Sequence, residues 1–278
     1  MRLVLMQIIL LCCCAGNSSA VPNTDSIRKT ITVKYNDVSV DVVVDKPALG
    51  ETDVLMVFHG TVLYDRNILQ AANNTLDKFK SILDRKDMMI VSVAYPGEGM
   101  LLGDNIRHAE AALLWVKHKA DEELGIRVKK IFLAGHSQGG YLVTMLNTLH
   151  PVNGVIANAP GPLNLVYRCS LEEKGKIKSS VFCARIREAH GNTETNSGAY
   201  MERSLISFTT GYQSDILFVQ GLSDSPIHMY TWPKFKQEVM DCSNCKQRLF
   251  VEMENAEHGA LFKSPEARTA FNDFINSR

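Results

Sequence analysis

The chain has no excess of charge of either sign: its 278 residues carry 30 lysines and arginines against 30 aspartates and glutamates. No long block of like charge stands out. A nucleic-acid-binding surface needs a basic stripe, so this balance excludes that class. Internal repeats and low-complexity tracts are missing as well. With 45% hydrophobic residues the chain has material for a solid core and no compositional mark of disorder. It shows no metal-ligand cluster and no glycine-rich phosphate cradle, so no cofactor and no metal is expected. The length allows one large α/β domain or two small ones.

Long apolar runs are scarce too. The most apolar stretch is the first, MRLVLMQIILLCCCAGNSSA. Arg2 supplies a charged start, residues 3–15 an apolar centre, and Ser18-Ser19-Ala20 the small residues that a signal peptidase reads. A bilayer crossing needs about 20 apolar residues, more than this run offers. Residues 1–20 are therefore expected to be a cleaved signal peptide, and residues 21–278 a single domain with an insertion at about 161–212. The protein would be secreted, or periplasmic in a bacterium, with no stable membrane insertion. Cys12, Cys13 and Cys14 would leave with the signal, and the small residues that a lipoprotein signal wants do not precede them. Cys169, Cys183, Cys242 and Cys245 remain, an even number that suggests disulfides in an exported chain. Of three connectivities, 169–183 with 242–245 is the simplest. The CSNC at 242–245 would alternatively serve as a redox or metal pair, but no thioredoxin-like pattern surrounds it.

Periodicity fills in the fold. Runs at 29–35 and 38–44 flank the turn pair Asn36-Asp37 and read as an antiparallel hairpin. Strands and helices alternate from there. Strands are expected at 54–59, 88–94, 130–134, 155–157, 215–220 and 248–253. Helices are expected with apolar stripes at Ala72, Leu76, Phe79 and Leu83, then at Ile106, Ala109, Leu113, Val116 and Ala120 behind an Asp104 cap. Others carry Leu142, Met145, Leu146 and Leu149, then Phe235 and Val239, then Ala267, Ala270, Phe271 and Phe274 behind Ser264-Pro265. Apolar strands alternating with amphipathic helices mean an α/β fold, a mostly parallel sheet with an antiparallel amino-terminal edge and helices on both faces.

One motif carries chemistry. In IFLAGHSQGGYLV, residues 131–143, a buried strand runs into Gly135, and Ser137 sits between Gly135 and Gly139. On a sharp strand-to-helix turn the helix backbone passes close to the strand. Flanking side chains would collide there, so glycine is wanted at both positions while the serine hydroxyl is held into the crevice beyond the strand ends.

With this motif in place, residues 50–277 resemble the α/β-hydrolase family of serine hydrolases. GHSQGGY is similar to the elbows of secreted esterases and of prolyl-oligopeptidase-like catalytic domains. The resemblance implies a nucleophile, an acid and a histidine in that chain order. Ser137 matches the first. Asp224, in the loop after the strand at 215–220, matches the second. His258, in the loop before the last helix, matches the third. Asp215 is the alternative acid but begins its strand, and His228 is the rival histidine. The resemblance also implies an oxyanion hole from the backbone N–H groups of Gln138, after the nucleophile, and Thr61, after the His59-Gly60 pair. Tyr95 is a further candidate for the pocket wall. The expected function is a secreted serine hydrolase that cleaves carboxylic esters of small or medium substrates through an acyl-enzyme. The alternatives are a serine peptidase acting on short peptides and a catalytically silent binding protein on the same scaffold. The partner is a small-molecule ester or short peptide.

Overall fold

The computed structural model describes residues 26–278, so the signal-peptide reading of residues 1–20 lies outside the described residues. Eight strands form one sheet in the order β1-β2-β4-β3-β5-β6-β7-β8. These are β1 (Ile27–Tyr35), β2 (Val38–Lys46), β3 (Glu51–Phe58), β4 (Met89–Ala94), β5 (Arg127–His136), β6 (Gly154–Asn158), β7 (Ile216–Gly221) and β8 (Arg248–Met253). The β1–β2 hairpin turns through Asn36, which takes a positive φ of 53°, a conformation asparagine tolerates better than most residues. β2 is antiparallel to both β1 and β4, and every remaining pair is parallel.

The strands at the centre are apolar on both faces because helices cover both. Val54, Met56 and Phe58 of β3 point to one core, and Leu55 and Val57 to the other. The second core lies under α1 (Ile68–Ile82), where Ala72, Leu76 and Phe79 are fully buried as the spacing predicts. The first lies under α2 (Ile106–His118), the short α3 (Ala120–Leu124) and α4 (Gln138–Leu149). Three helices follow β6: α5 (Leu165–Glu173), α6 (Val181–His190) and α7 (Ser197–Met201). They lie within residues 161–212, the stretch expected to be an insertion. α8 (Pro226–Met240) packs Phe235 and Val239 into the first core, and α9 (Ala260–Lys263) and α10 (Pro265–Asn276) pack Leu261, Phe271 and Phe274 into the second. Ser264 caps α10 by accepting from Ala267 N–H.

Three local expectations fail. Asn105, not Asp104, precedes α2, without a side-chain cap, and Asp104 instead pairs with Arg203 at 3.2 Å. Leu149 is exposed rather than buried, because α4 ends there and the chain turns away. Ala120 belongs to α3 rather than to the stripe of α2.

The four cysteines pair as Cys169–Cys183, joining α5 to α6, and Cys242–Cys245, closing the turn after α8. Of the three connectivities this is the one nearest in sequence.

Candidate active site

Ser137 joins β5 to α4 with φ 58° and ψ −117°. A non-glycine residue is strained there by about 1–3 kcal/mol and persists only where its surroundings hold it. They do. Its N–H donates to Asn158 O at 2.9 Å, and its carbonyl accepts from Tyr141 N–H at 3.0 Å and Gly161 N–H at 3.2 Å. A Cβ on Gly135 would lie 2.1 Å from Gly139 O, and one on Gly139 would lie 2.1 Å from Phe58 O. The glycines on either side of the serine are thus places where backbone meets backbone.

Asp224 and His258 come from adjacent loops. β7 ends at Gly221, and the loop after β8 crosses directly over it: a Cβ on Gly221 would sit 2.3 Å from both Ala256 O and Glu257 O. Leu222 N–H donates to Met253 O and Ser223 N–H to Ala256 O, each at 2.9 Å. The two loops are zipped together, and the zip sets His258 Nδ1 at 2.7 Å from Asp224 Oδ2. An ionised carboxylate only accepts, so Nδ1 carries the proton and Nε2 is free as a base. The other carboxylate oxygen accepts from Ser225 N–H at 2.6 Å. Burial pushes the Asp224 carboxyl up, but the His258 hydrogen bond, the His228 and His258 charges and the Ser225 N–H outweigh it and hold it at about 2.

Ser137, Asp224, His258 and Thr61 line one cavity of about 620 Å³, within the usual range for small-molecule sites. Gln138 follows Ser137 as the first residue of α4 and lines a small adjoining recess with Leu102 and Phe182. Among the described residues no hydrogen bond joins Ser137 Oγ to His258, although both face the same space. Such contacts commonly tighten only in the substrate complex.

Tyr95 is not in the cavity wall. It is fully buried, its ring stacks on His59 with centroids 3.9 Å apart, and its hydroxyl donates to His59 O. It braces the His59-Gly60-Thr61 turn from below. Asp215 lies at the far end of β7, held by Arg278 at 3.0 Å. His228 does line the cavity, but through a link no sequence pattern signals: its Nε2–H donates to Gln220 Oε1 at 3.0 Å, and Gln220 Nε2 donates to Asp224 Oδ2 at 3.1 Å. The half-buried histidine steadies the acid through an amide. Burial pushes His59, His136 and His228 each down to about 4, so all three are neutral near pH 7. His136 accepts from Asn158 Nδ2 at 2.9 Å, while Asn158 Oδ1 accepts from Leu261 N–H at 3.3 Å, tying the elbow to α9 just beyond His258. No cluster of three or more histidine, cysteine, aspartate or glutamate side chains among the described residues is arranged to hold a metal.

This sheet order, with the serine turn after β5 and two loops converging on it from β7 and β8, is the α/β-hydrolase fold. An acylaminoacyl peptidase of Pyrococcus horikoshii has the same fold at a TM-score of 0.64 and 15% identity over 90% of this chain; the chain spans 41% of that peptidase's length. An esterase of Pyrobaculum calidifontis, at 0.64 and 16%, is matched over 90% of this chain and 84% of its own. A thermostable esterase of Pseudomonas putida, at 0.63 and 17%, is matched over 90% and 81%. No protein-family model matches the chain, and no curated protein matches it.

Proposed function

We propose that the protein is a serine hydrolase cleaving carboxylic esters of small or medium substrates, with Ser137 as nucleophile, His258 as base and Asp224 as its orienting acid. The observation that carries this reading is the 2.7 Å His258–Asp224 hydrogen bond in the wall of the cavity that Ser137 enters from its strained turn. Ser137 Oγ attacks the substrate carbonyl carbon as its proton passes to His258 Nε2. The oxygen of the tetrahedral intermediate takes up negative charge, for which the N–H groups of Thr61 and Gln138 are the donors, reinforced by the amino-terminal end of α4. The imidazolium returns its proton to the departing alcohol, leaving an acyl-serine. Water, deprotonated by the same imidazole, then releases the acid and restores the serine. Removing Asp224 would leave His258 without the partner that fixes its tautomer.

Similarity to the two esterases over more than four fifths of their length favours ester cleavage. The acylaminoacyl peptidase keeps a second reading, hydrolysis of short peptides. Two disulfides suit an oxidising compartment and support a secreted protein; among the described residues no helix is long and apolar enough to cross a membrane. A panel of 4-nitrophenyl esters of graded chain length, run beside aminoacyl anilides, separates the readings. Ester turnover that vanishes in Ser137→Ala is expected. Turnover of anilides alone would favour the peptidase, and turnover of neither would leave a silent binding protein.

A further inference from the structure

The cavity holds one cation that the chemistry above does not use. Arg168 lies on α5 in the cavity wall, and it is held from behind. Its Nε donates to Glu172 Oε1 at 3.1 Å, and Glu172 Oε2 accepts from Ser180 N–H at 2.8 Å. The Glu172 side chain is 0% exposed and that of Arg168 is 33% exposed. Both Glu172 oxygens are therefore engaged. The contact to arginine uses Nε alone, and the two terminal Nη groups have no protein partner among the described residues. A guanidinium fixed by its Nε and open at its Nη edge presents the parallel N–H pair that matches a carboxylate. The Cys169–Cys183 disulfide, adjacent to Arg168, ties this helix to α6.

Charge along the segment that carries the wall residues Arg168 and Ser179 to Phe182 points the same way, although Arg185 within it is engaged by the Gly97 and Met100 carbonyls. From Arg168 to Arg187 there are six cations (Arg168, Lys174, Lys176, Lys178, Arg185 and Arg187) against Glu172 and Glu173, in a chain whose net charge is zero. Glu172 is committed as described, and Glu173 accepts from the Thr193 N–H at 3.0 Å. Lys174, Lys176 and Lys178 are exposed on the loop that leads to Ser179 and Ser180 of the cavity wall. Leu63, Leu163, Val181, Phe182 and Ile227 give the cavity an apolar part of its wall, beside the polar Asn164 and Ser225.

We propose that the substrate carries a carboxylate at the end of an apolar stretch, and that Arg168 binds that carboxylate and sets specificity. This rests on the hydrolase reading and refines its substrate class. The basic α5–α6 loop draws the anion to the cavity mouth, and the guanidinium fixes it while the scissile carbonyl lies against Ser137.

The test compares the mono-4-nitrophenyl ester of adipic acid with its methyl-capped neutral analogue on the native protein. The acid ester is expected to have the higher kcat/KM by at least about tenfold, the worth of one charge-assisted hydrogen bond, with the difference in KM and shrinking as salt rises. Arg168→Gln should bring the ratio of the two substrates close to one, and Arg168→Lys, which keeps the charge without the fork, should retain part of it. Equal turnover of both esters by the native protein, or a ratio unchanged in Arg168→Gln, overturns this inference and leaves the hydrolase reading standing. Hydrolysis of neither overturns both. The native comparison needs no variant, so a poorly folded Arg168→Gln does not blunt it.

Discussion

Gly221 lies so close under the Ala256 carbonyl that a methyl group on it would sit 2.3 Å from that oxygen. The contact presses the loop bearing His258 onto the loop bearing Asp224. Gly221→Ala must push them apart, by a backbone movement because no flexible side chain stands in the way. Overpacking of this kind costs about 1–3 kcal/mol, and displacement of a catalytic group by about 1 Å can cost 10²-fold in rate. The expected result is a kcat/KM for ester cleavage lowered by about 10²-fold, with a melting temperature lowered by only a few degrees. Both are read on the same preparation by steady-state kinetics and calorimetry.

Asp224→Asn keeps the shape of the acid and removes its charge. The amide can donate to His258 Nδ1, which turns the proton to Nε2 and silences the base. A loss of about 10⁴-fold in kcat is expected, as for the equivalent change in serine proteases. A loss below about tenfold would remove Asp224 from the mechanism.

Much of this arrangement was legible in the sequence, and the reason is local. Gly135-His136-Ser137-Gln138-Gly139 declares itself because both glycines and the serine answer one steric demand within five residues. The strands announce themselves by being apolar on both faces, as β3 is. The missed features depend on contacts between segments distant in sequence. Gly221 matters only because the stretch from Glu254 to Gly259 crosses it. Gln220 reads as a strand-end polar residue until His228 and Asp224 are seen on either side of it. Tyr95 reads as a pocket residue because it directly follows β4; the fold turns it inward to brace His59. Asp104 has the identity of a cap but finds a partner in Arg203, in the turn after α7 about a hundred residues away.

Acid should destabilise the protein in two stages. His59, His136 and His228 stay neutral down to about 4 in the fold, whereas in the unfolded chain they take protons near 6.5. Between those values the unfolded state binds more protons. The stability these three contribute is complete above about pH 6.5 and is lost as pH falls toward 4, at up to about 1.4 kcal/mol per pH unit for each. Asp224, held at about 2, adds stability that is complete above about pH 4 and lost as pH falls through 2. Denaturant melts from pH 8 to pH 3 follow the first stage directly. His228→Gln should flatten the slope between pH 6.5 and 4, and an unchanged slope would contradict the burial of that ring.

The two disulfides should differ in stabilising effect. Chain-entropy reasoning gives about 3 kcal/mol for a loop the size of the 14-residue separation of Cys169 and Cys183, and about 2 kcal/mol for the three-residue separation of Cys242 and Cys245. Paired alanine variants compared by calorimetry test that order. Ester cleavage should survive Cys242→Ser; its loss there, with retention in Ser137→Ala, would move the activity to the CSNC pair.

The most direct measurement is the intact mass of the protein after exposure to a fluorophosphonate, followed by peptide mapping. The expected result is a single phosphonyl adduct per chain, on Ser137, abolished in Ser137→Ala and slowed strongly in His258→Ala. A native protein that stays unmodified, or an adduct on any other residue, would contradict a nucleophile at the end of β5.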